Sequence, residues 1–130
     1  MSTRLDSTES GDVATGLDLS SLTTLHRVGI ALAALSGVVH LVLGIASLPS
    51  AFGLSFLVAA AGFAVGIVLV AWNVRRRLVY QVGIPFVLGQ IAIFGVLWVQ
   101  GATDLSAVAA VDKLAQLVLV GVLVTLLRRE

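Results

Sequence analysis

Cysteine is absent from the 130 residues. That excludes disulfides, thiolate metal sites and thiol nucleophiles, and it leaves the redox compartment unreadable. Charge is scarce: 12% of residues are Asp, Glu, Lys or Arg, and the formal net charge is +1. Such a balance supplies no basic field for nucleic acid, so no nucleic-acid partner is expected. Lys113 is the sole lysine, and every other basic residue is an arginine. The two histidines, His26 and His40, give no recognisable metal-ligand spacing without cysteine. No nucleophile–base signature or phosphate-binding glycine loop stands out. Neither an enzyme nor a cofactor is expected.

What is present is apolar. The chain is 58% hydrophobic, with a mean hydropathy of +1.08. A soluble domain of this size leaves much of its surface in water and cannot hide so much apolar side chain. The expected class is all-α, an integral membrane bundle of four transmembrane helices, with the lipid bilayer as its first partner. Residues 1–22 form a polar, acidic segment, with Arg4 opposed by Asp6, Glu9, Asp12 and Asp18. It is expected to be a disordered cytoplasmic tail. The transmembrane domain then covers residues 23–130, with spans at about 25–48, 54–74, 78–99 and 107–127. Each has about 20 residues, enough to cross ~30 Å of hydrocarbon at 1.5 Å per residue. The runs are long and do not alternate, which favours helices over barrel strands. The first run exceeds a signal-peptide core and its leader is acidic, so a retained span is preferred, although "GIAS" offers a small-residue cleavage site. Thr23 or Thr24 is the expected cap of the first helix.

Arginine sets the orientation. Arg27 precedes the first span, Arg75, Arg76 and Arg77 form nearly all of the loop between the second and third, and Arg128 and Arg129 follow the fourth. The loops "PSAFG" and "QGATDLS" carry no basic residue. With four spans, every basic site falls on one side, so both termini are expected in the cytoplasm. Trp72 and Tyr80 are then expected at the inner interface and Trp98 at the outer one. The three arginines read as topology determinants, with an anionic lipid head group as a further role. No inverted repeat is evident.

Several stretches are more specific. "LSGVVHLVLGI", "RRRLVYQVGIPFVLGQI", "VDKLAQLVLV" and the terminal "RRE" resemble a family of small four-span haloarchaeal membrane proteins of unknown function, over about residues 25–130. The abundance of Ala, Val, Gly, Leu and Arg and the acidic leader suit the same source. The resemblance implies a multi-pass membrane protein and no activity, substrate or cofactor. A looser likeness, through the Arg-then-Gly start of the first span, is to DoxX-like four-helix membrane proteins.

Small residues recur at helical spacing. Gly62 and Gly66 form "GFAVG", and Gly29, Ala33 and Gly37 form a ridge on the first span. In lipid such ridges let backbones approach, either inside one bundle or along a homo-oligomer seam. Pro85 lies early in the third span, where it removes a backbone bond and predicts a bend or hinge.

The polar residues inside the spans need partners. His40, Gln90, Asp112 and Gln116 all fall within roughly 8 Å of the midplane at 1.5 Å per residue, and they predict one shared polar layer. Ser36 precedes His40 by one turn. Asp112 and Lys113 are adjacent, so their side chains start about 100° apart. Lys113 is expected to lean outward and snorkel. The layer reads in three ways: a frayed outer helix end beside water, an ion- or proton-handling Asp112–His40 pair, or a structural hydrogen-bond cluster. The favoured function is a non-catalytic structural or accessory component that packs with itself or with a larger membrane complex. The alternative is a small ion or solute channel or transporter using the layer.

Overall fold

The computed structural model describes residues 19–130. Of the tail expected over residues 1–22, residues 1–18 lie outside the described residues. Leu19–Ser21 make a short 3-10 turn. Four α-helices follow: α1 (Thr24–Ala46), α2 (Ala51–Ala71), α3 (Arg76–Val99) and α4 (Ala107–Arg129). No strand occurs among the described residues. Each helix is long and apolar enough to cross a membrane. The protein is a multi-pass membrane protein, with lipid against its outer faces.

Local chemistry places the helix ends. Thr23 caps α1: its side chain accepts from the His26 backbone N–H, and the His26 ring accepts from the Thr23 backbone N–H. The Ser50 hydroxyl caps α2 and the Ser106 hydroxyl caps α4, accepting from the Gly53 and Ala109 backbone N–H groups. These hydroxyls satisfy backbone donors that have no partner within the helix. The Ser50 cap starts α2 three residues before the expected position. Asn73 and Arg75 take the left-handed conformation and turn the chain between α2 and α3. α3 runs as one helix through Pro85.

The helices form a ring. α1 packs on α2 and α4, α4 packs on α3, and α2 touches α3 only slightly. The inward stripe of α4 is Asp112, Ala115, Gln116, Leu119, Val122, Leu123 and Leu126. Steps of three and four keep these residues on one helical face. The stripe changes character along its length, with polar groups near the α4 N-terminus and apolar groups toward the C-terminus. The inward stripe of α1 is His26, Gly29, Ser36, His40 and Gly44. It is small and polar, so neighbouring helices approach closely. A Cβ on Gly37 would lie 3.2 Å from Phe63 of α2, and one on Gly29 would lie 3.2 Å from Val122 of α4.

The apolar core occupies the half nearer the termini. Phe63 of α2, Val87 of α3, and Leu119, Leu123 and Leu126 of α4 meet there. Tyr80 joins them with no exposed surface. Tyr80 is the fifth residue of α3, near the end where the arginines gather, and its ring turns into the bundle rather than toward lipid. Trp72 and Trp98 remain half exposed on the outer surface.

The arginine loop also differs from expectation. Arg76 and Arg77 begin α3, so the loop is shorter than expected. Arg76 is buried: its Nε donates to the Val70 carbonyl at 2.9 Å and its Nη2 donates to Ser21 Oγ at 2.8 Å. A cation at the C-terminal end of α2 satisfies a carbonyl there and suits the helix dipole. Arg75 and Arg77 stay exposed and available to a lipid head group.

Candidate functional site, a buried polar layer beneath a vestibule

Asp112 is 2% exposed and Gln116 is fully buried. Both lie well inside α4, so the frayed-end reading is excluded. An ionised carboxylate in such a place requires donors and a counter-charge. Ser36 on α1 supplies one donor, its hydroxyl lying 2.7 Å from Asp112 Oδ1. Lys113 supplies the charge, with Nζ 2.9 Å from Asp112 Oδ2.

Lys113 therefore corrects the expectation of an outward lean. Its Nζ also donates to Gln116 Oε1 at 2.9 Å, and it lies 5.3 Å from the centre of the Phe94 ring. The four-carbon stem is long enough to curl back from its starting direction. Gln116, three residues on, shares its helix face. The attraction of a buried carboxylate and an aromatic face outweighs the outward path to water.

Ser36 is the hub. Its hydroxyl accepts from Gln116 Nε2 at 3.1 Å while donating to Asp112. Its backbone carbonyl accepts from His40 Nδ1 at 2.8 Å. Gln116 Nε2 also donates to Gln90 Oε1 at 2.8 Å, which ties α3 to α4. Gln90, Asp112 and Gln116 thus belong to one hydrogen-bonded layer across α1, α3 and α4. His40 reaches it only through the Ser36 backbone. Among the described residues no direct Asp112–His40 hydrogen bond forms, because Ser36 stands between the two. The His40 ring packs instead against Phe56 and Phe63, with centroids 5.7 Å away in each case.

Ser36 and Lys113 are the members of the layer that sequence reasoning left out. The signal for Ser36 was its spacing from His40, four residues on the same face. No comparable signal marked Phe94.

Above the layer, on the side away from the termini, opens a vestibule of about 580 Å³. Its walls include Phe52, Phe56, Ile93 and Phe94, and Thr103 and Asp104 lie at its loop end. Gln90, Asp112, Lys113 and His40 form its floor. A second cavity of about 80 Å³ lies in the apolar half, bordered by His26, Gly29, Gly66 and Tyr80. The small-residue ridges are used within the chain. Gly62 faces the Phe86 ring of α3 closely, whereas Gly66 borders the small cavity with ordinary clearance from Val79.

Among the described residues, no group of three His, Asp or Glu side chains gathers as metal ligands. Comparison with protein-family models, with curated proteins and with solved structures finds no match to this chain.

Proposed function

We propose that the chain is a non-catalytic protein of the cell membrane with both termini cytoplasmic, acting as a structural or accessory component that packs with itself or with a larger membrane complex. The carrying observation is that the heart of the polar layer, Asp112 and Gln116, finds its partners within the chain. Both Asp112 oxygens and both polar atoms of Gln116 have partners inside the chain. Beneath the layer Phe63, Val87 and Leu119 fill the bundle with apolar atoms. An ion or proton path would need polar groups or water through that half. The layer then serves to lock α1, α3 and α4 in register, a specificity device of the kind buried polar networks provide. The gathering of Arg27, Arg75, Arg77, Arg128 and Arg129 at the end holding the termini supports the orientation. Membership of the haloarchaeal four-span family belongs to the same proposal, on the motifs quoted above.

The glycine ridges meet neighbours in the same chain, so a partner would use other surfaces. Purification in mild detergent followed by mass measurement tests the reading. Recovery of the chain as a defined oligomer, or with a further membrane protein, supports it. A bare monomer at every detergent concentration overturns it.

A channel or transporter for a small ion or solute is the second reading, favoured by the vestibule that reaches the layer. Flux through reconstituted vesicles that is lost in Asp112→Asn would establish it.

A further inference from the structure

The direction of every hydrogen bond in the layer follows from Lys113. An ammonium group only donates, so the Gln116 atom facing it is the carbonyl oxygen. The Gln116 amide nitrogen therefore faces Ser36 Oγ and Gln90. The Gln90 atom receiving that donor is its carbonyl oxygen, at 2.8 Å. The chain of donors ends there, and the Gln90 NH2 group is left over. It is buried and has no partner. A buried donor without an acceptor is costly, because it has lost its water and gained nothing in exchange. Gln90 also lines the vestibule.

His40 lines the same vestibule. Its Nδ1 faces a backbone carbonyl, which only accepts, so Nδ1 carries the proton. In the neutral ring Nε2 is then an acceptor. The floor thus holds one unpartnered donor on Gln90, which a guest reaches only when the Gln90 side chain turns upward, and one acceptor on His40. The floor's two charges, on Asp112 and Lys113, neutralise each other at 2.9 Å, and the remaining lining charge, Asp104, is exposed at the loop end. A charged guest seated on the floor would lose its hydration with no counter-ion beside it. The walls are aromatic and aliphatic. The cavity volume of about 580 Å³ falls in the range of small-molecule sites.

We propose that the vestibule is a binding site for an uncharged small molecule carrying an amide group on an apolar body, its carbonyl oxygen accepting from Gln90 Nε2 and its N–H donating to His40. This goes beyond the accessory role and does not depend on it.

Benzamide is a suitable probe, with benzoate and benzylamine as charged controls of the same shape. Titration calorimetry on the full chain in mild detergent should detect saturable benzamide binding, with at least tenfold weaker binding of both controls. Gln90→Leu should weaken benzamide binding about tenfold, the loss of one hydrogen bond worth roughly 1.4 kcal/mol. Ala102→Trp narrows the vestibule from its loop end, away from the floor, and should abolish binding, so it decides the matter if Gln90→Leu does not fold. Benzoate or benzylamine binding as tightly as benzamide would overturn the proposal. So would benzamide binding that is unchanged in either folded variant.

Discussion

Ser36 and Asp112 stand 76 positions apart in the chain, yet the serine hydroxyl donates to the aspartate at 2.7 Å. This bond joins α1 to α4, the first and last helices of the ring. It also carries Gln116 and His40 on the same residue, through the hydroxyl and the carbonyl.

Asp112→Ala should destabilise the bundle by about 3 kcal/mol, because the half-buried Lys113 loses its counter-ion while keeping only Gln116 and the Phe94 ring. Asp112→Asn should cost less, since the amide can still accept from Ser36. The double variant Asp112→Leu with Lys113→Met should recover part of the loss. Unfolding in a denaturing detergent, followed by circular dichroism, ranks the three. Equal stability of Asp112→Ala and wild type would remove the ion pair from the account.

Arg76 and Arg77 count equally in any charge-based topology argument, but their contacts separate them. Arg76→Ala removes the charged donor to the Val70 carbonyl and to Ser21 and should cost about 1.5–3 kcal/mol, the range for hydrogen bonds to charged groups. Arg77 is exposed, so Arg77→Ala should stay within about 0.5 kcal/mol of wild type. Thermal melting of both variants in the same detergent checks the contrast. Equal melting temperatures would contradict the buried role of Arg76.

Glycine positions should differ by neighbour rather than by motif. A Cβ on Gly53 would meet the Ser47 backbone carbonyl carbon at 2.7 Å, and backbone cannot swing aside. Gly53→Ala should therefore cost about 1–3 kcal/mol through overpacking of the α1–α2 turn. On Gly66 the nearest atom would be Val79 Cγ1 at 3.8 Å. Gly66→Ala should be neutral, or should stabilise by up to about 1 kcal/mol through helix propensity. Melting curves that place Gly66→Ala below Gly53→Ala would reverse the packing assignment.

Orientation is open to labelling in intact cells. Cysteine replacing Thr103, in the loop before α4, should react with a membrane-impermeant thiol reagent. Cysteine replacing Arg128, at the opposite end, should react only after lysis. The reverse pattern would place the termini outside.

Four spans, their helical nature and their one-sided arginines were legible in the chain itself. Hydropathy adds up locally, and a run of about 20 apolar residues matches the bilayer whatever the rest of the protein does. The caps were local too: Thr23 hydrogen-bonds to His26 within a single turn. That His40, Gln90, Asp112 and Gln116 share one depth followed from the rise per residue along straight helices.

Which of those residues touch was decided only by the tertiary structure. Depth says nothing of helix order or rotation, and both come from packing between segments far apart in sequence. The ring order puts α1 beside α4, so Ser36 rather than His40 meets Asp112. Lys113 turns inward because the neighbouring Asp112 is buried against Ser36 of α1, and that burial exists only once the helices have packed. Tyr80 and Arg76 turn into the bundle near its arginine-bearing end, the ring toward His26 and the guanidinium toward the Val70 carbonyl. In lipid, apolar surface does not sort inside from outside. The sorting falls to small residues and to polar groups seeking partners, and those partners exist only once the helices have assembled.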